Sequence, residues 1–138
     1  NLLWSALHVQ RNIWKVLSLY KGNHFMKYGE PGMTEYIQVL TTVEHKADAE
    51  KIAKMLVEKR IAACVQIVGP VTSFFQWQGK LDSAQEYLCL IKSREDLFSE
   101  LEAAIKSMHP YEVPEILATP ITRGGKDYLN WLAAELKA

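Results

Sequence analysis

The chain has 138 residues, about the length of one domain, with 49% hydrophobic and 23% charged residues and a formal net charge of zero. That composition supports one modest core. It offers no apolar stretch near the roughly 20 residues of a membrane helix and no global basic excess for nucleic acid.

The charge is unevenly spread. Residues 1–32 carry Arg11, Lys15, Lys21 and Lys27 against Glu30 alone, a net of +3, which leaves −3 for residues 33–138. Leu2, Leu3, Trp4, Leu7, Val9, Ile13, Trp14, Val16, Leu17, Leu19 and Tyr20 interleave with Arg11 and Lys15. A basic, Trp-bearing amphipathic helix at a membrane surface is one reading of this stretch. A signal peptide fits poorly, because the charges lie inside the apolar run and no small-residue cleavage site follows. Gly29-Glu30-Pro31-Gly32 reads as a linker and Met33 as a native start. Residues 1–32 are therefore expected to be a tag-derived or upstream-derived extension, with the domain proper at 33–138.

From there the pattern alternates. Tyr36 to Thr42 is a short apolar run with strand character. Over 46–59, Ala49, Ile52, Ala53, Leu56 and Val57 recur at helical spacing. Ile61 to Phe75, rich in Val, Ile, Thr and Phe, predicts a long strand with a bend or bulge at Gly69-Pro70. Gln78 to Asp82 is a turn, and Tyr87 to Lys92 a returning strand. Ser93 and Asp96 are spaced as a capping box for a helix striped by Leu97, Leu101, Ile105 and Met108, which His109-Pro110 ends. Val113 to Ile121 predicts a Pro-bracketed strand, with the prolines marking an edge or a strand start. A Gly124-Gly125 loop leads to a last helix over 127–137.

The order β-α-β-β-α-β-α is, in its first six elements, the ferredoxin-like split βαβ pattern, an α+β fold. Its central strands, about 15 and 9 residues, exceed the usual 5–6. An arm that outruns its sheet exposes edges, and pairing with further copies is the simplest way to cover them. Cys64 and Cys89 lie in apolar strand patterns with no C-x-x-C. They predict free thiols in a reducing compartment, the cytoplasm for a bacterial protein.

Four blocks carry a family resemblance: EKRIAACVQ at 58–66, TSFFQWQGK at 72–80, EYLCLIKSR at 86–94, and HPYEVPEI at 109–116 with DYLNWL at 127–132. In this order and spacing the chain resembles the CutA divalent-cation tolerance family. The resemblance implies a ferredoxin-like homotrimer whose long hairpins join sheets across subunits, similar in architecture to PII signalling proteins. It also implies tolerance of divalent metals, with a copper site drawing on cysteine and histidine. His109 matches the family's histidine before Pro-Tyr. Met108 stands where some members carry a second histidine, and Thr41 where some carry a cysteine.

The expected metal donors are thus His109, Cys64 and Glu115, one nitrogen, one sulfur and one oxygen, suited to weak binding of copper or another divalent ion. This expectation rests on the start of the last strand lying close to the second strand. Read without a metal, His109 is a helix-terminating residue favoured by the dipole, and Cys64 and Cys89 are small core residues. Trp77, Lys80, Tyr111, Glu112 and Glu115 are expected at an intersubunit cleft. They are read either as a small-ligand pocket in which Lys80 and Lys92 meet an anion, or as interface packing with Trp77 as anchor. Catalysis is not expected. VQIVGPVTSFF faintly resembles the phosphate loop of acylphosphatases, but Gln76 and Trp77 stand where that chemistry needs an arginine, and no nucleophile or zinc-protease motif occurs. Two functions follow: a metal-binding tolerance trimer, or a PII-like small-ligand sensor or protein-binding scaffold.

Overall fold

A computed structural model of the chain describes residues 35–138. The expectations for residues 1–32, amphipathic helix or appended extension, lie outside the described residues. The elements run β1 (Tyr36–Val43), α1 (Lys46–Glu58), β2 (Cys64–Trp77), β3 (Lys80–Arg94), a 3-10 turn (Glu95–Leu97), α2 (Phe98–Met108), β4 (Leu117–Pro120) and α3 (Lys126–Glu135). The strands form one sheet in the order β2-β3-β1-β4, every neighbouring pair antiparallel. β1 and β2 flank β3, the split βαβ arrangement, so the fold is ferredoxin-like α+β.

One face of the sheet carries the core. Ile37, Val39, Thr41 and Val43 of β1, with Cys89, Ile91 and Ser93 of β3, alternate inward. They meet Ala49, Ile52 and Leu56 of α1, a stripe at i, i+3 and i+7, and Leu101, Ala104 and Ile105 of α2. Leu97, Leu132 and Leu136 close a smaller cluster with Ala63. α3 is pinned there by Arg60. Its guanidinium donates from Nε to the Glu135 carbonyl (2.9 Å) and from Nη2 to that of Ala134 (2.8 Å), satisfying carbonyls at a helix end.

β2 and β3 form one long hairpin closed by Gln78-Gly79, both at positive φ (49° and 76°), as a two-residue type I′ turn requires. Between Val68↔Leu88 and Val71↔Glu86 the ladder gains one residue on β2, so Gly69 and Pro70 together oppose Tyr87. A Cβ at Gly69 would lie 2.8 Å from Tyr87 Cδ1 and 3.0 Å from the Glu86 carbonyl oxygen, which explains the glycine.

The expected edge strand is present but short. Pro114 and Pro120 bracket it, and pairing to β1 covers only Leu117–Pro120. The capping box does not form. Ser93 is still in the ladder opposite Ile37, and its hydroxyl donates to the Ile61 carbonyl at 2.6 Å. Met108 is 39% exposed, so the α2 stripe ends at Ile105.

Candidate functional site

Proline cannot continue a helix, so His109-Pro110 turns the chain out of α2 and back across the end of β1. His109 is its C-cap; its backbone N–H still donates to the Ile105 carbonyl, while its backbone is extended. The imidazole is buried at the end of the sheet with both nitrogens occupied. Nε2 lies 2.9 Å from the Thr42 carbonyl oxygen, and the Tyr111 backbone N–H donates to Nδ1 at 3.1 Å. An amide can only donate and a carbonyl can only accept, so the ring is neutral with its proton on Nε2. Burial lowers its pKa below 6.5, opposed by the Thr42 carbonyl and the charges of Glu86 and Asp48.

Tyr111 stacks at a tilt on His109, with ring centroids 4.8 Å apart, and its hydroxyl donates to Glu86 Oε2 at 2.9 Å. Glu86 is 7% exposed. Burial first, then the bond to this carboxylate, raises the phenol pKa well above 10. Thr42 Oγ1 makes a long 3.4 Å contact to Glu115 Oε2. The His109–Glu115 segment is therefore stitched to β1 through Thr42 and to β3 through Glu86. Sequence reasoning missed Glu86 and Thr42. Glu86 opens the EYLCLIKSR block on the same face as Leu88 and Leu90, and a carboxylate on that face was the available signal.

The expected donors are not gathered within one chain. β4 lies beside β1, at the opposite side of the sheet from β2, which corrects the expectation that its start approaches Cys64. Cys64 shares a register position with Lys92 and Gln38, whereas Thr42 aligns with Leu88 and Val68. Four residues along the strands and two strand spacings across place Cys64 roughly 13 Å by 10 Å from the His109 end. Its neighbour is instead Tyr128 of α3. Among the described residues no group of three or more His, Cys, Asp or Glu could hold a metal ion. Thr41 is fully buried opposite Cys89, and its hydroxyl has no hydrogen-bond partner among the described residues. Cys89 is fully buried, and burial pushes its thiol up to about 11, a small core residue without thiolate character.

Trp77 and Lys80 pair with each other at the hairpin tip. Six residues of β3 separate Lys80 from Glu86, about 20 Å, so the tip does not reach Tyr111 or the exposed Glu112 of its own chain. Lys92, twelve residues from Lys80 on the same strand, donates to Gln66 Oε1, so the two lysines do not meet on one anion within one protomer. An open cleft of about 610 Å³ lies between Glu44, His45 and Lys46 on one side and Pro70, Ser83, Ala84, Gln85 and Tyr87 on the other.

Residues 37–135 match the family described as CutA1 divalent ion tolerance protein. The chain belongs to the CutA1 divalent ion tolerance family. A CutA divalent-cation tolerance protein of Thermus thermophilus is 49% identical over 94 residues, covering 68% of this chain and 91% of that protein. Its homologue in Archaeoglobus fulgidus is 44% identical over the same shares. Among solved structures, that of the Thermus thermophilus protein superposes with a TM-score of 0.72 at 45% identity, over 74% of this chain and 99% of that one. The Archaeoglobus fulgidus structure, described as a periplasmic divalent cation tolerance protein, gives 0.72 at 40% identity over 74% and 99%. The match spans every element from β1 to α3 and so includes the hairpin and the His109 junction.

Proposed function

We propose that the chain serves divalent-cation tolerance as a non-catalytic homotrimer that works as a PII-like sensor or scaffold, with copper or another divalent ion as its signal or cargo. The observation that carries the assembly is the hairpin arm. Phe74, Trp77 and Leu81 are 72%, 58% and 71% exposed on it, and among the described residues no strand pairs with the outer edges of β2 and β4. Large apolar side chains on an arm with open edges are a docking surface, and further copies of the same chain supply the complementary edges. In such an assembly Trp77 and Lys80 of one copy can approach Tyr111 and Glu112 of another.

The sensor or scaffold mode is favoured over a copper centre because His109 and Glu115 lie at one end of the sheet and Cys64 at the other. The free thiols Cys64 and Cys89 support placement in the cytoplasm; recovery in an oxidising compartment would overturn that placement. Sedimentation combined with copper and zinc calorimetry and a metabolite thermal-shift panel tests the reading. A trimer that answers a small anionic ligand or a partner protein supports it. A folded monomer, or a trimer that answers no divalent ion, small ligand or partner protein, refutes it.

A further inference from the structure

The family's association with divalent cations directs attention to His109 as a ligand, and the geometry around it points elsewhere. We infer that in this protein His109 is a structural latch held in one tautomer and lies outside any metal site. A metal takes the lone pair of an unprotonated imidazole nitrogen. Here the unprotonated nitrogen is Nδ1, and the Tyr111 N–H already occupies it at 3.1 Å. Nε2 carries the proton and gives it to the Thr42 carbonyl at 2.9 Å.

Freeing either nitrogen strands a backbone group at a position where the residue is only 9% exposed. Ligating histidines ordinarily keep one nitrogen for the metal and give the other to a backbone or carboxylate acceptor. His109 has both nitrogens committed to backbone, and the amide of Tyr111 sits where the metal would be. The neighbouring positions agree: Thr41 offers a hydroxyl in the core, Met108 is at the exposed end of α2, and Cys64 is at the far end of the sheet.

What the latch does is set Tyr111. By holding the Tyr111 amide on Nδ1 and the ring against its own face, His109 aims the phenol at Glu86, joining β3 to the segment after α2. His109 is in this sense a positioning residue for the Tyr111–Glu86 pair.

Nitrogen-detected NMR of the full chain with labelled histidine tests this without reference to assembly, so its failure and that of the trimer reading are separable. The His109 signals, identified by their loss in His109→Gln, should show one pyrrole-type Nε2 and one pyridine-type Nδ1. Both should stay in place when zinc is added at neutral pH, and the Tyr111 amide should stay protected from exchange. Calorimetric zinc affinity should be the same for wild type and His109→Gln. Movement of either His109 ring nitrogen on zinc addition would overturn the inference. So would the opposite tautomer, or a fall in zinc affinity of about 10–100-fold in the variant, the size seen even for outer-shell losses. If His109→Gln does not fold, the wild-type spectra decide, with the assignment taken from Tyr111 amide-to-ring couplings.

Discussion

Replacing Trp77 by alanine isolates what the hairpin tip contributes to the proposed trimer. An indole side chain buries up to about 250 Å². Trp77 is 58% exposed in the single chain, so full coverage by a neighbouring copy removes about 145 Å² from water. At about 25 cal/mol per Å² that is roughly 3.5 kcal/mol per protomer and about 10 kcal/mol over three. With a tenfold change per 1.4 kcal/mol, the assembly constant falls by about seven decades. Sedimentation through a dilution series should therefore find the variant dissociating where the parent remains trimeric, with a lower melting temperature, since an oligomer's folded state is favoured by mass action. Circular dichroism separates this from loss of the hairpin itself, because Trp77 also faces Lys80 across the turn. A variant that stays trimeric wherever the parent does, with unchanged melting, refutes the assignment of Trp77 as anchor.

Gly69→Ala should destabilise by about 1–3 kcal/mol, the usual cost of overpacking, because the new methyl meets two backbone atoms near 3 Å as well as the Tyr87 ring; denaturant midpoints measure it. Arg60→Ala removes two exposed hydrogen bonds at the end of α3 and should cost about 1 kcal/mol, with faster hydrogen exchange in the last turn of that helix as the reporter. The pH dependence of stability should carry the signature of His109. Burial lowers its folded pKa below the 6.5 of the free side chain, so the unfolded chain binds the extra proton more readily. Stability is complete above about 6.5, declines as pH falls below it, and levels off once pH is below the folded value. Urea titrations of wild type and His109→Gln should differ in this slope, and equal slopes in the two would assign the dependence to another group.

Much of the fold was legible because local pattern and tertiary context agree. The α1 stripe of Ala49, Ile52 and Leu56 and the Gly69-Pro70 irregularity in β2 appear where spacing and turn chemistry put them. The misses share one cause, partners distant in sequence. Ser93 and Asp96 have capping-box spacing, but pairing of Ser93 with Ile37 keeps that residue in a strand and sends its hydroxyl to Ile61. The hairpin is longer than its hydrophobic run, because Lys80 to Glu86 are mostly polar, Leu81 and Ala84 apart, yet fully laddered with β2. At the candidate site, His109 and Tyr111 were visible as a motif. Their partners Thr42 and Glu86 come from two other strands, 67 and 25 residues away, and no local spacing reports them. Within one chain Cys64 and His109 lie apart, because the sheet order puts β2 and β4 at opposite edges, which no local spacing reports.

The extra residue at Gly69-Pro70 also governs handedness of presentation. Before it, even-numbered residues of β2 sit opposite even-numbered residues of β3, as Val68 does Leu88; after it, odd-numbered ones do, as Val71 does Glu86, Phe75 does Asp82 and Trp77 does Lys80. Because strand side chains alternate, Phe75 and Trp77 are thereby sent to the side of the sheet that bears Glu86, Leu88 and Leu90, away from the helices, while Phe74 goes to the other. Deleting one residue at this point would restore an uninterrupted ladder with Phe75 and Trp77 still opposite Asp82 and Lys80, and would remove the local bend and added twist that aim the arm. The direction in which the arm leaves the sheet is thus set by one extra residue, whose removal would re-aim Phe75 and Trp77 together while leaving each on its own side of the ladder.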